Sequence, residues 1–414
     1  MYRLENPILY YDWGSTTTIP HYLGNPTNGE PHAEVWMGAH PSAPSLATHA
    51  CKSAHGTTAS MPSQGSVALS EIIAANPRAL LGDELTERFG PQLPFLAKLL
   101  AADKPLSLQV HPTRERAEQQ YHQEIRQGTA KHMRNYMDPN HKPELLMALA
   151  PTLALVGFRF PDDAAATVSR LKSASALQIV ELLQSNEKAE DCLRAAFTAC
   201  LDLSEADTAQ IVSELPPPLA WPDPKDPLQV ASALAHHHPG DPGSVASLLL
   251  NTVLLEPGQG LYVPSGSIHA YIRGFGLEVM ASSDNVLRAG LTSKRVDREE
   301  LLEAASFKPG APQIVTGQPH DDATCTVYTY HTPENDFSLK VIERLDVGAR
   351  CEADATQIDG LGARIVICID GVMDVEGSSC QLQLGRGDSA FIGAEDGLIK
   401  IRGTGRLAVV GAEA

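Results

Sequence analysis

Two polar residues, Gln109 and His111, flank Val110 in the stretch SLQVHP that begins at Ser107. If this stretch is an extended strand, its side chains alternate between two faces, so Gln109 and His111 share one face and Val110 points to the other. A glutamine amide and an imidazole on an inner face need partners, because burying either of them unpaired costs on the order of 1–3 kcal/mol. A metal ion is one such partner.

A further candidate ligand, His269, follows a turn. The run from Gly258 has five residues before Pro264, one residue before Gly266 and two residues before His269. Proline and glycine favour a tight turn between two strands, and a histidine just beyond it would point into the mouth of a β-barrel. The arrangement resembles the second signature motif of cupin barrels, although Arg273 stands where that motif has asparagine.

A carboxylate completes the candidate set. In HKPELLMAL, Glu144 begins an apolar run that indicates a strand, and Lys142 lies two residues earlier on the same face. One amide, one carboxylate and two imidazoles suit Zn²⁺ and leave coordination positions open for a substrate. Taken singly, each residue has an ordinary alternative as a satisfied polar group of the core, and for a lone His269 or Gln109 that alternative is the more frequent one. Spacing alone does not bring the four residues together. The candidate ligands are Gln109, His111, Glu144 and His269.

Short apolar runs punctuated by glycine and proline must position these residues. The region from Leu248 to Ser282 has this pattern, which is typical of a β-barrel or jelly roll. The pattern returns after Pro309 and predicts a smaller C-terminal β domain. Its stretch GRGDSAFIGAEDG contains no histidine or other obvious ligand, so we expect that domain to lack a metal.

Helical patterns interrupt the strands. We predict a helical segment over about 66–102, a polar helix from Arg114, and an α-helical insertion over 160–247. HHHPGDPG, from His236, is interpreted as a turn-rich loop rather than a metal site. The predicted fold is therefore mainly β with a helical domain. A catalytic cupin-type barrel would comprise 1–159 and 248–310, and a cupin-like domain without metal ligands would comprise 311–414.

Composition narrows the function. The chain has 32 basic and 50 acidic residues and a net charge of −18, which argues against nucleic acid or an anionic membrane as its main partner. Its seven cysteines include no CxxC pair, which indicates neither a disulfide framework nor a zinc ribbon and favours a reduced, cytoplasmic compartment. The start MYRLENPILYYDWGS lacks a signal pattern, and we expect neither secretion nor a membrane span.

Four longer motifs closely resemble those of the type I phosphomannose isomerases: AEVWMGAHP, KPLSLQVHP, DPNHKPELLMAL and GFGLEVMASSDNVLRAGLTSKRVD. The resemblance covers residues 1 to about 310, and the C-terminal β domain shows a weaker similarity to the same family. It implies a cupin-type zinc enzyme, with one Zn²⁺ per chain, that interconverts mannose 6-phosphate and fructose 6-phosphate through an enediol. It also implies a cytoplasmic monomer of carbohydrate metabolism, including GDP-mannose biosynthesis. The implied zinc ligands are Gln109, His111, Glu144 and His269.

The resemblance also implies roles for other residues. Arg288, in DNVLRAGLT, matches an essential arginine and is expected to stabilise the enediolate, while Lys294 and Ser107 are expected to bind the phosphosugar. Lys142 and Glu278 match polar positions that line the family's site. The base that moves the proton could be a metal-bound water, Glu278 or Lys142. The sequence does not choose among these three.

Two other functions stay open at this stage. An iron-dependent cupin oxygenase would keep the barrel and the metal, but such sites favour two histidines and one carboxylate. The additional Gln109 and the basic Arg288 and Lys294 favour a phosphosugar instead. A sugar-binding protein without turnover would keep the barrel but lose a ligand or the arginine, and neither is lost here.

Overall fold

The computed structural model of the chain describes residues 1–50, 66–185, 187–322, 325–344, 356–358, 362–378 and 380–412. The fold is mainly β, as the sequence predicts. The strands in these residues are β1 (Tyr2–Glu5), β2 (Ile8–Leu9), β3 (Glu34–Met37), β4 (Leu46–His49), β5 (Val67–Ala68), β6 (Phe95–Ala102), β7 (Leu108–Val110), β8 (Glu144–Phe158), β9 (Leu250–Leu255), β10 (Gln259–Val263), β11 (His269–Ala281), β12 (Leu287–Gly290), β13 (Gln313–Thr316), β14 (Gln318–Asp322), β15 (Cys325–Tyr330), β16 (Ser338–Arg344), β17 (Thr356–Ile358), β18 (Arg364–Glu376), β19 (Gln381–Gly385), β20 (Ser389–Ile392) and β21 (Ile399–Gly411).

The helices are mostly short. None within the described ranges combines the length and the apolar character that crossing a membrane would require. They are α1 (Thr18–Tyr22), α2 (Leu69–Ala75), α3 (Pro77–Leu81), α4 (Asp83–Phe89), α5 (Arg114–Arg126), α6 (Pro161–Val168), α7 (Ala174–Leu183), α8 (Ala189–Leu201), α9 (Glu205–Ser213), α10 (Pro227–His237), α11 (Gly243–Ala246) and α12 (Arg298–Ala304).

The chain divides into two compact units. The first unit comprises Met1–Leu100, Leu277–Ser282 and Val315–Ala414, and the second comprises Ala101–Gly276 and Ser283–Ile314. Strand β11 begins in the second unit and ends in the first. Within the first unit, one sheet has the order β14-β15-β16-β21-β18-β20-β1-β4-β5, with β17 paired to β21 and β19 paired to β18.

Aliphatic side chains fill the core of that first-unit sheet. Buried and less buried residues alternate along most of β16, whereas β20 and the first six residues of β18 are buried throughout. Continuous burial of this kind indicates strands that are covered on both faces. Burying this apolar surface is the main source of stability for such a sheet. Fully buried members of the core include Ile342, Val366, Met373, Ile401 and Leu407.

The second unit is built around β8. This strand pairs antiparallel with β10 along its first part and with β9 along its second part, while β7 pairs with both β11 and β12. Helices α6 to α11 lie in the chain between β8 and β9. Their apolar faces pack on the strands, and the rings of Phe158 and Phe197 meet edge to face with centroids 5.4 Å apart. Ser204 caps α9 by accepting the backbone N–H of Asp207 at 3.1 Å.

Three local expectations need correction. The predicted helical segment over about 66–102 ends early, because its last part, FLAKLLAA, is strand β6 with all eight residues buried. A strand buried on both faces loses its alternation, so its apolar run resembles that of a buried helix. His236 and His237 belong to the end of α10 rather than to a loop. Cys380 is disulfide-bonded, which the cysteine spacing did not indicate.

Candidate metal centre

Strand pairing in the second unit lines up three of the predicted site residues. Gln109 on β7 pairs with His269 on β11 and, on its other side, with Arg288 on β12. Residues that lie directly opposite each other on antiparallel strands project to the same face of the sheet. Arg288, Gln109 and His269 therefore form one row across three strands. His111 follows β7 directly, and its carbonyl accepts the backbone N–H of Gly266 at 2.7 Å.

The two histidines converge on Glu144, the first residue of β8. The ligand atoms of His111, Glu144 and His269 all lie within 4.8 Å of one another. His111 Nε2 is 3.1 Å from Glu144 Oε1, and His269 Nε2 is 3.3 Å from Glu144 Oε2. The three side chains are 1%, 2% and 0% exposed. The fold thus gathers one carboxylate and two imidazoles in a dry environment.

Hydrogen bonds to carbonyl groups fix the tautomers of both rings. His111 Nδ1 lies 2.7 Å from the carbonyl oxygen of Asn285, and His269 Nδ1 lies 3.0 Å from that of Ser267. A carbonyl oxygen can only accept, so each Nδ1 bears the hydrogen and each Nε2 keeps its lone pair. Metal-binding histidines are oriented in this way in proteins.

The resulting lone pairs face each other without a proton to share. His111 Nε2 and Glu144 Oε2 are buried and have no hydrogen-bond partner. An unpaired buried polar atom costs about 1–3 kcal/mol, and atoms of like partial charge at close range repel. A cation among the three side chains would satisfy these atoms. The donors present fit a metal ion that accepts nitrogen and oxygen ligands, as Zn²⁺ does.

The charges around the cluster favour its metal-binding form. Burial, assisted by the nearby charge of Lys142, lowers the pKa of His111 to about 3, so this imidazole is neutral at ordinary pH. Burial alone would raise the pKa of Glu144, but the nearby charge of Lys142 holds it well below its usual range. Lys142 Nζ is 3.1 Å from Glu144 Oε1. The cluster therefore has an ionised carboxylate at Glu144 and a neutral imidazole at His111.

Gln109 can join the set through its amide oxygen. Its Nε2 lies 3.3 Å from His269 Nε2. Rotation of the terminal amide by half a turn exchanges its nitrogen and oxygen, which brings Oε1 to the same place. The side chain is only partly buried, so it stands at the more open side of the cluster.

Asn285 holds the surrounding loops, a role that the sequence did not reveal. Its side chain is fully buried; Nδ2 donates to the carbonyls of Asp138 at 2.7 Å and Asn140 at 2.8 Å, and Oδ1 accepts the N–H of Met137 at 2.7 Å. These bonds fix the loop that leads into Lys142 and Glu144. The backbone carbonyl of Asn285 accepts the hydrogen bond from His111 Nδ1. Asn285 therefore connects His111 to the loop that precedes Glu144. It lies within the quoted motif DNVLRAGLT, but only the fold shows what its side chain contacts.

The other predicted residues lie at three places. Ser107 directly precedes β7, and Lys294 is exposed in the loop that follows β12. Glu278 is 2% exposed on the part of β11 that belongs to the first unit. Its Oε2 lies 3.0 Å from Lys98 Nζ.

Lys98 is a buried cation that sequence reasoning missed. It lies 3.9 Å from Glu34 Oε1, and its Nζ is 5.1 Å from the ring centroid of Trp36. Trp36 Nε1 in turn donates to Glu34 Oε2 at 2.7 Å. The motif AEVWMGAHP thus supplies two side chains, Glu34 and Trp36, that contact the buried ammonium group of Lys98. A lone lysine in the apolar run FLAKLLAA was the available signal, because lysine is almost never fully buried unless paired.

Comparison with known families identifies two segments. The family model of the phosphomannose isomerase type I catalytic domain matches residues 1–160. The family model of the mannose-6-phosphate isomerase cupin domain matches residues 326–412.

Similarity to individual proteins extends over the whole chain. The mannose-6-phosphate isomerase of Salmonella typhimurium is 35% identical over 415 residues, covering 99% of each chain. Mannose-6-phosphate isomerase 1 of Arabidopsis thaliana is 31% identical, covering 95% of this chain and 89% of the other. A glutamate-to-alanine mutant of phosphomannose isomerase from Salmonella typhimurium has a TM-score of 0.85 and 32% identity, with full coverage of both chains. A zinc-bound mannose 6-phosphate isomerase has a TM-score of 0.84 and 32% identity, covering 100% and 99% of the two chains.

Proposed function

The chain belongs to the type I phosphomannose isomerase family, and we propose on that premise how its buried cluster serves the reaction. The protein is a zinc-dependent isomerase that interconverts D-mannose 6-phosphate and D-fructose 6-phosphate. The observation that carries this function is the cluster of His111, Glu144 and His269, whose ligand atoms lie within 4.8 Å of one another in a buried place. The zinc-bound relative has the same overall fold.

We propose that Gln109, His111, Glu144 and His269 hold one Zn²⁺. The bound ion supplies Lewis-acid polarisation of the sugar's oxygens, which is worth several kcal/mol as negative charge develops on them. Glu144 is the single anionic ligand in this set, so a net positive charge is left to attract those oxygens. The orphaned His111 Nε2 and Glu144 Oε2 support this assignment.

The protein must also move a proton. In the forward direction a proton leaves C2 of the aldose and is returned to C1, and the hydrogen of the O2 hydroxyl is redistributed to O1. Lys142 and Glu278 are the side chains proposed for this work. Lys142 lies beside the cluster, 3.1 Å from Glu144, where it can donate to a sugar oxygen. Glu278 is a carboxylate held by the ammonium group of Lys98, and it can accept a proton.

Arg288 is proposed to stabilise the enediolate. Its pairing with Gln109 on β7 puts it in one row with Gln109 and His269, on the same face of the sheet. A guanidinium group offers several donors in a fixed plane, which suits an oxyanion that gains charge during the reaction. Lys294 is proposed to bind the phosphate as a point charge, together with Ser107.

The domain organisation is also a proposal. We infer a catalytic cupin-type barrel from 1–159 and 248–310, a helical insertion over 160–247 and a cupin-like domain over 311–414. The family-model match over 1–160 supports the boundary near residue 159, and the match over 326–412 lies within the proposed C-terminal domain. The compact units differ from this division, since the first of them joins Met1–Leu100 to Val315–Ala414. Strands β8 and β9 pair directly, so the helices between them leave the sheet and return to it at neighbouring strands, as expected for an insertion.

The cellular setting is inferred from family membership. We propose a cytoplasmic monomer that acts on a phosphosugar, with no nucleic acid or membrane partner, in carbohydrate metabolism including GDP-mannose biosynthesis. The net charge of −18 supports the absence of polyanionic partners.

A single assay separates this function from its alternatives. The purified protein is given mannose 6-phosphate before chelation, after chelation, and after Zn²⁺ is added back. We expect isomerisation to be lost and then restored. An oxygenase would instead require iron and consume oxygen, and a sugar-binding protein would bind mannose 6-phosphate without converting it.

A further inference from the structure

Asp241 joins the helical segment of the second unit to the loop that follows β12. It lies in the turn between α10 and α11. Its Oδ1 accepts the backbone N–H of Gly243 at 2.7 Å, and its Oδ2 accepts that of Thr292 at 3.1 Å. Both oxygens of the carboxylate are therefore engaged with backbone, one on each side of the junction.

Two glycines let the backbones approach closely at this junction. A Cβ at Gly290 would lie 2.8 Å from Asp241 Oδ1 and 3.0 Å from Gly243 Cα. A Cβ at Gly243 would lie 2.8 Å from Asp241 Oδ1 and 3.1 Å from the backbone nitrogen of Leu291. Distances this short leave no room for a side chain on either residue. The turn that contains Asp241 thus packs directly on the end of β12.

The contact is made where the loop is strained. Leu291 has a φ of 55°, and it is the one non-glycine residue with positive φ in the described part of the chain. A left-handed conformation at such a residue costs on the order of 1–3 kcal/mol and persists only when its surroundings fix it. The bond from Thr292 to Asp241 comes immediately after Leu291. It is one of the interactions that hold the chain in this turn.

The same turn determines where the loop goes next. Arg288 lies just before it on β12, and the N–H of Lys294 donates to Thr292 Oγ1 at 3.1 Å just after it. A displacement of Thr292 would therefore be passed on to Lys294 through the backbone.

We propose that Asp241 is a positioning residue for the sugar phosphate. Asp241 acts through Thr292, because its bond to the Thr292 N–H holds the loop that presents Lys294. Through Asp241, the helical segment therefore sets the affinity for the phosphate group of the substrate. This inference rests on the proposed function, in which Lys294 binds the phosphate. Both of its carboxylate oxygens already accept backbone N–H groups, so the proposal assigns Asp241 to holding the loop and not to contact with the substrate.

The test replaces this carboxylate and measures substrate affinity apart from turnover. In Asp241→Ala we expect the KM for mannose 6-phosphate and the inhibition constant of inorganic phosphate each to rise about tenfold, the loss expected for one hydrogen bond to a charged group. The change in kcat should be smaller, and the zinc content should stay the same. These readouts separate lost positioning of the phosphate site from a general loss of structure.

Asp226 provides a matched control in the same helical segment. It caps α10 by accepting the N–H of Leu228 at 3.3 Å, and it pairs with Arg170 at 2.9 Å. Asp226→Ala should lower thermal stability, yet leave KM and phosphate inhibition within about twofold of the unmodified protein. If Asp241→Ala gives only the same pattern as this control, the inference is wrong.

A milder variant covers the case in which Asp241→Ala does not fold. Asp241→Asn keeps the size of the side chain but replaces one acceptor with a donor that would face a backbone N–H. KM and phosphate inhibition should shift in the same direction as for alanine, by a smaller factor. Unchanged values in a folded, zinc-loaded Asp241→Asn protein would overturn the inference.

Calorimetric measurement of inorganic phosphate binding distinguishes a failure of the proposed function from a failure of the positioning role of Asp241. If the unmodified protein binds phosphate but does not isomerise mannose 6-phosphate, the proposed function fails. Weaker phosphate binding by Asp241→Ala would still support the positioning role. Equal binding by both proteins would reject it.

Discussion

Two β regions of this molecule share a strand-and-turn pattern but differ in what they bury. Around β7, β8 and β11, the buried positions include two imidazoles and a carboxylate, with atoms that have no hydrogen-bond partner. In the sheet of β16, β18, β20 and β21, the buried positions are mostly aliphatic, and the buried polar atoms without a partner belong to one arginine, Arg364, rather than to a group of metal-binding side chains. Unpaired buried polar atoms destabilise the folded state, whereas buried aliphatic side chains stabilise it. The first region is thus built for a ligand, and the second for stability.

The contrast is visible at two similar turns. PSGSIHAY places His269 directly after its turn, with 0% exposure. GRGDSAFIGA places Ala390 and Phe391 after its turn, and both are also 0% exposed. The two segments have similar burial and different chemistry. Substitutions in the two regions should therefore have different consequences, one for activity and the other for stability.

The largest effect is expected from removing a cluster ligand. His269→Ala should lower kcat/KM by about a thousandfold or more, because Lewis-acid assistance is worth several kcal/mol and 1.36 kcal/mol is a factor of ten. Zinc content should fall with it, while the protein stays folded. Steady-state kinetics and metal analysis check this. Near-normal activity in a zinc-free His269→Ala protein would remove the basis for the contrast between the regions.

Replacement of Arg288, which lies in the same row as His269, should leave zinc binding unchanged. Arg288→Ala should reduce kcat by about 10²- to 10³-fold, the range for losing one donor to a developing oxyanion. Zinc content should be unchanged, since Arg288 is not among the proposed ligands. Arg288→Lys should recover little, because lysine lacks the planar fork. A kcat close to that of the unmodified protein in Arg288→Ala would refute the catalytic role.

The opposite pattern is expected in the aliphatic sheet. Ile401 is fully buried on β21, and Ile401→Ala should lower the free energy of unfolding by about 2–5 kcal/mol. Denaturant melts measure this loss. At a temperature where the variant is fully folded, zinc content and kcat/KM should match those of the unmodified protein. A selective loss of zinc from this variant would mean that the two regions are not functionally separate.

A smaller effect should follow from loosening the loops around the cluster. Asn285→Ala removes the bonds that fix the loop before Lys142, and it should weaken zinc binding by about 10- to 100-fold, the range for groups that orient metal ligands. Competition with a chelator of known affinity measures the change. Unaltered zinc affinity would show that the backbone holds His111 without help from this side chain.

The pH dependence of the metal-free protein should reflect the low pKa of His111. Its folded value of about 3 lies below the unfolded value of roughly 6.5, so the unfolded state takes up the proton first. Stability should decrease as pH falls from about 6.5 towards 3, by at most about 1.4 kcal/mol per pH unit for this group. The depressed pKa of Glu144 adds a loss of the same sign as pH falls below its unfolded value. Urea melts at several pH values should show a flatter slope for His111→Gln, and equal slopes would contradict the assignment.

The sequence predicted the mainly β fold because turn residues and short apolar runs leave clear local signals. Gln109, His111, Glu144 and His269 could be named from the family resemblance, and the structure places them together because β7 pairs with β11 and Glu144 begins β8. Strand β6 was missed because a strand that is buried on both faces has no alternation. The roles of Lys98 and Asp241 depend on residues far away in the chain. Local patterns hold no information about such contacts.

Zinc titration of the chelated protein, with isomerisation of mannose 6-phosphate as the readout, tests the role of the cluster most directly. The proposed function predicts that activity is absent without metal and rises with added Zn²⁺ until about one ion is bound per chain, as expected for one four-ligand site. Full activity in the chelated protein, or no isomerisation by a folded protein with one zinc bound, would contradict it.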